Sequence, residues 1–208
     1  MEFTVITLLS LGAYLIGSIP TAYIIVHRLK NLDVRSVGSG NVGAVNTFHQ
    51  VGFWGAILVL TVDTTKGVLA VLVPQWMGAP EWAVYFTTIA VIAGHNWPVF
   101  LGFRGGKGAA TILGISLVIV PWLTLIALVP TLLLVALTRN VVIGVGTGLI
   151  LVNALAINSN LSMELATLCM SLSVLVTATY VFGTWDKIID AFKTRRFRGL
   201  FYGTNFNP

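Results

Sequence analysis

The chain has 208 residues, of which 56% are hydrophobic and only 9% charged, with a formal net charge of +5. That apolar share lies far above that of an ordinary soluble domain and the apolar runs approach bilayer length, which excludes a soluble enzyme and predicts an all-α polytopic membrane protein. With Cys169 as the single cysteine, no intramolecular disulfide can form.

In chain order the apolar runs cover residues 3–26, 51–73, 82–103, 111–137, 141–157 and 163–182. The first follows Glu2 rather than a basic segment and has no small-residue cleavage site, so it reads as a retained span. Arg28, Lys30 and Arg35 follow the first run, Arg104 and Lys107 the third, Arg139 the fourth, and Lys187, Lys193, Arg195, Arg196 and Arg198 the last. The breaks at 74–81 and 159–162 carry no Lys or Arg. If the basic breaks are all cytoplasmic, the run from Thr111 to Leu137 enters and leaves on one side, which requires two passes or none.

At about 1.5 Å per residue this run is roughly 40 Å long as one helix, long for one span and short for two. Pro121 and Pro130 can break it. Two short helices turning near Pro121 give about seven transmembrane helices, an external N-terminus and a cytoplasmic C-terminus; a re-entrant pair is the variant. We therefore expect a single integral membrane domain over residues 1–208, multi-pass in the cell inner membrane.

Two polar, glycine-rich stretches interrupt this membrane-grade sequence. The first is Gly38-Ser39-Gly40-Asn41-Val42-Gly43-Ala44-Val45-Asn46, preceded by Arg35 and Ser36. The second runs from Gly94-His95-Asn96-Trp97-Pro98 to Phe103-Arg104-Gly105-Gly106-Lys107-Gly108. Loops of Gly, Ser and Asn leave backbone N–H groups unshielded, and successive N–H groups form concave nests for phosphate or another oxyanion. Arg104 and Lys107 add a planar fork and a point charge beside Gly105 and Gly106. Neither stretch has the spacing of a P-loop. The alternative is that the glycines only make tight turns and the cations anchor helices at the interface. Asp63 and Lys66 stand three apart on one helix face inside the second run, where ionisable residues are expensive. They read either as a structural ion pair or as an addition of Lys66 to a positive field over a substrate.

These stretches, with Asp63-Thr64-Thr65-Lys66-Gly67 between them, closely resemble the bacterial membrane acyl-phosphate:glycerol-3-phosphate acyltransferases over roughly residues 5 to 115. The resemblance implies a seven-helix protein with a cytoplasmic site and no cofactor or metal. It implies transfer of a fatty acyl group from acyl phosphate to the sn-1 hydroxyl of glycerol 3-phosphate, giving lysophosphatidic acid and phosphate, the first step of phospholipid synthesis. The implied partners are acyl phosphate, glycerol 3-phosphate, the lipid bilayer and the enzyme that supplies acyl phosphate. On this reading Ser39, Lys107 and His95 are the expected catalytic residues. Gly38, Gly40, Asn41, Asn46, Lys66, Arg104, Gly105, Gly106 and Gly108 are expected to bind substrate. An acyl phosphate is already activated, so no covalent acyl-enzyme is required, and no Ser-His-Asp arrangement is present to build one. The proton of the attacking hydroxyl passes either to His95 or to a substrate phosphate oxygen, and His95 can equally be a structural hydrogen-bonding residue.

The chain also departs from that family. His49 stands where the first motif usually has arginine, Val45 replaces a threonine, and the C-terminal His-x-x-Asn motif is absent from Phe182-Gly183-Thr184-Trp185-Asp186-Lys187-Ile188-Ile189-Asp190. Either Asp186 or Lys187 partly substitutes in an active enzyme, or the chain is a divergent paralogue that binds phosphate-bearing lipids. A transporter of a phosphorylated solute is the third reading, and it lacks the internal symmetry expected of that class. The basic tail reads as a membrane-surface segment with no nucleic-acid partner.

Overall fold

The computed structural model describes residues 2–183 together with 185, 189, 193 and 194. Among the described residues there are nine α-helices and a short 3-10 turn, Val99–Leu101, in an all-α architecture. The helices are α1 Glu2–Gly17, α2 Thr21–Lys30, α3 Ala44–Val51, α4 Phe53–Trp76, α5 Ala83–Asn96, α6 Ala109–Ile119, α7 Pro121–Thr138, α8 Val141–Ile157 and α9 Met163–Phe182. Five segments are long and apolar enough to cross a membrane: Phe3–Lys30, Phe53–Trp76, Ala83–Leu101, Pro121–Thr138 and Met163–Phe182. Two shorter apolar helices, Ala109–Ile119 and Val141–Ile157, accompany them.

Three elements differ in detail from the hydropathy runs. The first run is interrupted at Ser18–Pro20, since Pro20 has no N–H to continue the ladder, and α1 and α2 are separate helices. The run from Thr111 to Leu137 does break in front of Pro121. It gives one short helix, α6, and one full-length helix, α7, with Pro130 inside the latter. The polar stretch after Gly43 folds into α3, a two-turn helix with Asn46 and Thr47 buried and Val45 and Phe48 exposed.

The chain forms two compact units, Met1–Ile119 and Val120–Pro208. In the first, α4 is the hub, touching α1, α2, α3, α5 and α6, while α1 lies along α5. Small residues make these approaches close. A side chain on Gly17 would meet the Val91 carbonyl of α5, and one on Gly94 the Tyr14 carbonyl of α1. Gly67 of α4 and Gly114 of α6 face each other's helices in the same reciprocal way, against Thr111 and Thr64. Such contacts are how helices gain van der Waals energy in lipid, where apolar burial supplies little. In the second unit α8 packs on both α7 and α9, and the Asn153 amide donates to the Ser173 hydroxyl at 2.7 Å across the α8–α9 interface.

The break before Pro121 yields a topological prediction. A cysteine placed at Thr138 in a Cys169→Ser background is expected to react with a membrane-impermeant maleimide only from the cytoplasmic side. Labelling from outside would overturn the expected seven-crossing arrangement.

Candidate active site

The site is assembled in the first unit, where the α1–α2 break, the start of α3, the end of α5 and two loops meet around α4. Its floor is ionic. Asp63 and Lys66 are 2% and 3% exposed, and the Lys66 ammonium lies 2.6 Å from Asp63 Oδ1. The same ammonium donates at 2.6 Å to the carbonyl of Ile19, in the break between α1 and α2. Thr21 Oγ1 donates to Asp63 Oδ1 at 3.3 Å, and His95 Nδ1 lies 3.8 Å from that oxygen. Lys66 is thus neutralised by Asp63 and tied to a carbonyl that Pro20 leaves outside the helical ladder. A buried charge needs such pairing and additional hydrogen bonds to offset its desolvation.

The first loop occupies residues 37–43 and is shaped by Asn46 from α3. The Asn46 amide nitrogen lies 3.0 Å from the Val34 carbonyl and 3.1 Å from those of Val37 and Asn41, and its oxygen accepts the Ser39 N–H at 3.3 Å. Gly38 and Gly40 adopt positive φ, 57° and 72°, which this fold-back requires of the backbone. The N–H groups of Ser39, Gly40, Asn41 and Gly43 are all spent inside the loop. Beyond the loop, the N–H groups of Ala44, Val45 and Asn46 begin α3 ahead of its helical ladder, whose first bond runs from the Thr47 N–H to the Gly43 carbonyl at 3.1 Å. Ser39 is exposed at the loop tip and Asn41 is half-buried beside it.

The second loop folds back on the end of α5. Gly105 N donates to Asn96 O at 3.1 Å and Gly106 N to His95 O at 3.0 Å. A side chain on Gly105 would strike the His95 carbonyl, and one on Gly106 would strike His95 Nε2 and come within 2.7 Å of the Val42 carbonyl in the first loop. Gly106 is therefore where the two loops and His95 touch. A cavity of about 10 Å³, enough for one water, lies below this point among Thr21, Asp63, Val42, His95 and Gly105. Gly108, at φ 80°, turns the chain into α6. Arg104 is exposed, Lys107 is half-buried, and His49 is exposed on α3. Asn96 is 4% exposed, with both polar atoms of its amide unpartnered among the described residues, a situation usually relieved by bound water or ligand.

The structure brings Gly38, Ser39, Gly40, Asn41, Asn46, His95, Gly105, Gly106 and Gly108 into this one assembly, with Lys66 beneath it. Two contributors were not anticipated as site residues. Arg35 donates through Nη1 to the Leu101 carbonyl at 3.0 Å and through Nη2 to Asp33 Oδ2 at 2.7 Å. The guanidinium bonded to Asp33 holds that carboxyl below its ordinary value, and Asp33 in turn raises Arg35. Tyr14 Oη donates to Trp97 O at 2.8 Å, anchoring the second loop to α1. Asp186 and Lys187, considered as substitutes for the C-terminal motif, lie outside the described residues, as do Arg195, Arg196 and Arg198. Among the described residues no group of three or more His, Cys, Asp and Glu is placed to hold a metal ion.

The fold defines a multi-pass integral membrane protein in which two glycine-rich loops meet over a buried ion pair. A family model described as glycerol-3-phosphate acyltransferase matches residues 7–190, and the chain belongs to that acyltransferase family. A glycerol-3-phosphate acyltransferase of Thermoanaerobacter sp. (strain X514) is 42% identical over 165 residues, covering 78% of this chain and 83% of that protein. One from Clostridioides difficile (strain 630) is 40% identical over 154 residues, covering 72% and 76% respectively. The crystal structure of PlsY, an integral membrane glycerol 3-phosphate acyltransferase, in its glycerol 3-phosphate form aligns with a TM-score of 0.78 at 31% identity, over 92% of this chain and 93% of that one. The lysophosphatidic acid form of the same protein aligns with a TM-score of 0.76 at 29% identity.

The contact at Gly106 gives a direct test. Gly106→Ala is expected to lower glycerol 3-phosphate acylation at least about tenfold through loop displacement, with an unchanged elution profile in detergent. Full activity would show that the second loop tolerates being pushed away from His95 and Val42.

Proposed function

We propose that this protein transfers a fatty acyl group from acyl phosphate to the sn-1 hydroxyl of glycerol 3-phosphate, at the cytoplasmic face of the inner membrane. The observation that carries this reading is the meeting of two glycine-rich loops at Gly106 and the Val42 carbonyl, above a neutralised ionic floor. Both substrates bear phosphate and one bears a lipid tail, so two anions must be held side by side at the edge of the bilayer. The start of α3, with the Ser39 hydroxyl and the Asn41 amide at the tip of the first loop, receives one phosphate, and Gly40 supplies the turn that presents them. Arg104 and Lys107, with the backbone of Gly105 and Gly106, receive the other and reduce the repulsion between them. Gly38, Asn46 and Gly108 shape the two loops, and Lys66 holds the floor.

In the reaction the acceptor hydroxyl oxygen bonds to the carbonyl carbon, and the carbonyl-to-phosphate oxygen bond breaks. Phosphate leaves with the bonding pair, giving lysophosphatidic acid. Lys107 and Ser39 stabilise negative charge on the carbonyl oxygen in the transition state. The hydroxyl proton passes to a substrate phosphate oxygen. His95 is 8% exposed, with Nε2 against Gly106, which suits a residue that holds the second loop better than one that reaches substrate. Relatives carrying the same enzymatic name, and the glycerol 3-phosphate and lysophosphatidic acid forms of PlsY, support the assignment. Acyl phosphate must come from another enzyme, which is the implied partner at the cytoplasmic surface.

The experiment is phosphate release by purified protein given palmitoyl phosphate, with and without glycerol 3-phosphate, together with lipid analysis. Release that depends on glycerol 3-phosphate and yields lysophosphatidic acid is expected. Ser39→Ala and Lys107→Ala are each expected to reduce it at least about tenfold, the scale of losing one transition-state contact. Binding of glycerol 3-phosphate without turnover would favour a non-catalytic paralogue.

His95→Gln is expected to keep turnover within about tenfold of the parent, with an unaltered pH–rate profile. A larger loss accompanied by disappearance of an acidic limb would make His95 the base.

A further inference from the structure

Arg35 precedes the first loop, and all three nitrogens of its guanidinium are engaged. Nε lies 3.0 and 3.1 Å from the two carboxylate oxygens of Asp33, Nη2 lies 2.7 Å from Oδ2, and Nη1 donates at 3.0 Å to the Leu101 carbonyl. Its Cζ stands 5.7 Å from the centre of the Tyr23 ring. Leu101 ends the 3-10 turn that leads through Gly102 and Phe103, both at positive φ, into Arg104-Gly105-Gly106-Lys107. The main-chain carbonyl of Arg35 lies beneath the first loop, 3.1 Å from where a Cβ on Gly40 would stand. One residue therefore grips the lead-in to the second loop with its side chain while its backbone lies against the first loop at Gly40.

Resting on the acyl-transfer reading above, we propose that Arg35 is a positioning residue for the reaction. The Asp33–Arg35–Leu101 bridge fixes the spacing of the two phosphate-receiving loops, and so how closely the acceptor hydroxyl approaches the donor carbonyl. Arg35 is not a phosphate ligand, because Asp33 balances its charge and orients its fork away from an incoming anion. Arginine is required because only a planar fork reaches a carboxylate and a carbonyl in fixed directions; lysine supplies the charge without the geometry. The pair is about one-third exposed, 32% and 36% by side chain, so it adds little to overall stability while still setting a distance.

The test compares Arg35→Lys, Asp33→Ala and the double variant in the full-length protein. Since Asp33 Oδ1 also accepts the Arg35 N–H at 2.9 Å, Arg35→Lys, which leaves that turn intact, is the primary variant. A displacement of about 1 Å between reacting groups costs on the order of a hundredfold in rate. We expect kcat to fall about 10- to 100-fold in both single variants, and KM for each substrate to stay within about threefold, since each phosphate keeps its own loop. The double variant is expected to be no worse than either single one, as two halves of one bridge require. Hydrogen exchange of the resting protein supplies a readout independent of turnover. Amides of residues 102–108 should exchange faster in all three variants while those of α4 do not change, whereas a general loss of structure would accelerate both.

Raised KM with kcat preserved, rescue by lysine, or tighter substrate binding in Asp33→Ala would make Arg35 an anion ligand and overturn the proposal. Unchanged kcat and unchanged exchange at 102–108 would overturn it as well. If the parent protein fails to turn over acyl phosphate, the acyl-transfer reading fails alone, and the exchange experiment still decides whether the bridge sets the loops.

Discussion

The constraint on which this structure depends is that hydrocarbon leaves no backbone polar group to be satisfied by water. Pro20 breaks the first membrane-crossing segment near its middle, and the Ile19 carbonyl at that break takes the Lys66 ammonium at 2.6 Å. Lys66 is tolerable there only because Asp63 lies one turn away on the same helix, and Asp63 only because Lys66 and Thr21 donate to it. Remove either charged member and the other charge is stranded at depth, whereas the Ile19 carbonyl keeps the Thr21 N–H at 3.0 Å. The break, the ion pair and the α1–α4 approach are thus one solution to one problem. Because the pair is internally neutral, it provides a rigid base without adding net charge beneath the loops.

Helix length does the rest of the positioning. At about 1.5 Å per residue, α5 with 14 residues and α6 with 11 are roughly 21 and 16 Å long, short of the roughly 30 Å hydrocarbon core. The last turn of α5 therefore stands close to Asp63, with His95 Nδ1 3.8 Å from that carboxylate, and Gly105 of the non-helical chain that follows lines the same small cavity. Irregular backbone is tolerated at such depth only when it is bonded to protein or lines a cavity. Here Gly105 and Gly106 pair with Asn96 and His95, and Arg35 and Tyr14 take the carbonyls of Leu101 and Trp97.

The helical class, the break before Pro121 and the two loops were legible in the sequence because each is a local signal: apolar run length, proline, or glycine beside asparagine. Pro20 was equally visible, but an apolar run that continues on both sides of Ser18 and Ile19 masks three residues of interruption. The loops illustrate a different limit. Composition located them, yet it suggested that their N–H groups stand free, whereas Asn46 and internal turns consume most of them, and the N–H groups that precede a helical ladder lie at the start of α3. Nothing local distinguishes an asparagine that binds substrate from one that folds its own loop; the difference lies in whether Val34 and Val37 come within reach. Arg35 escaped for the same reason, since its partner Leu101 is 66 positions away.

The placement of charge follows one pattern. Lys66 and Arg35 are each matched by a carboxylate within three residues, and both hold backbone carbonyls, so they act as fasteners. Arg104 and Lys107 flank Gly105 and Gly106, of which Gly106 meets the first loop at the Val42 carbonyl. Two neighbouring cations add their Coulomb attraction for an anion, and the second loop carries such a pair above a floor buried in protein. In the proposed reaction an amphiphilic donor brings its phosphate there without removing its tail from the bilayer, and a water-soluble acceptor reaches the same point from the aqueous side. That boundary position, as much as any single side chain, is what the proposal relies on to bring two such different molecules together.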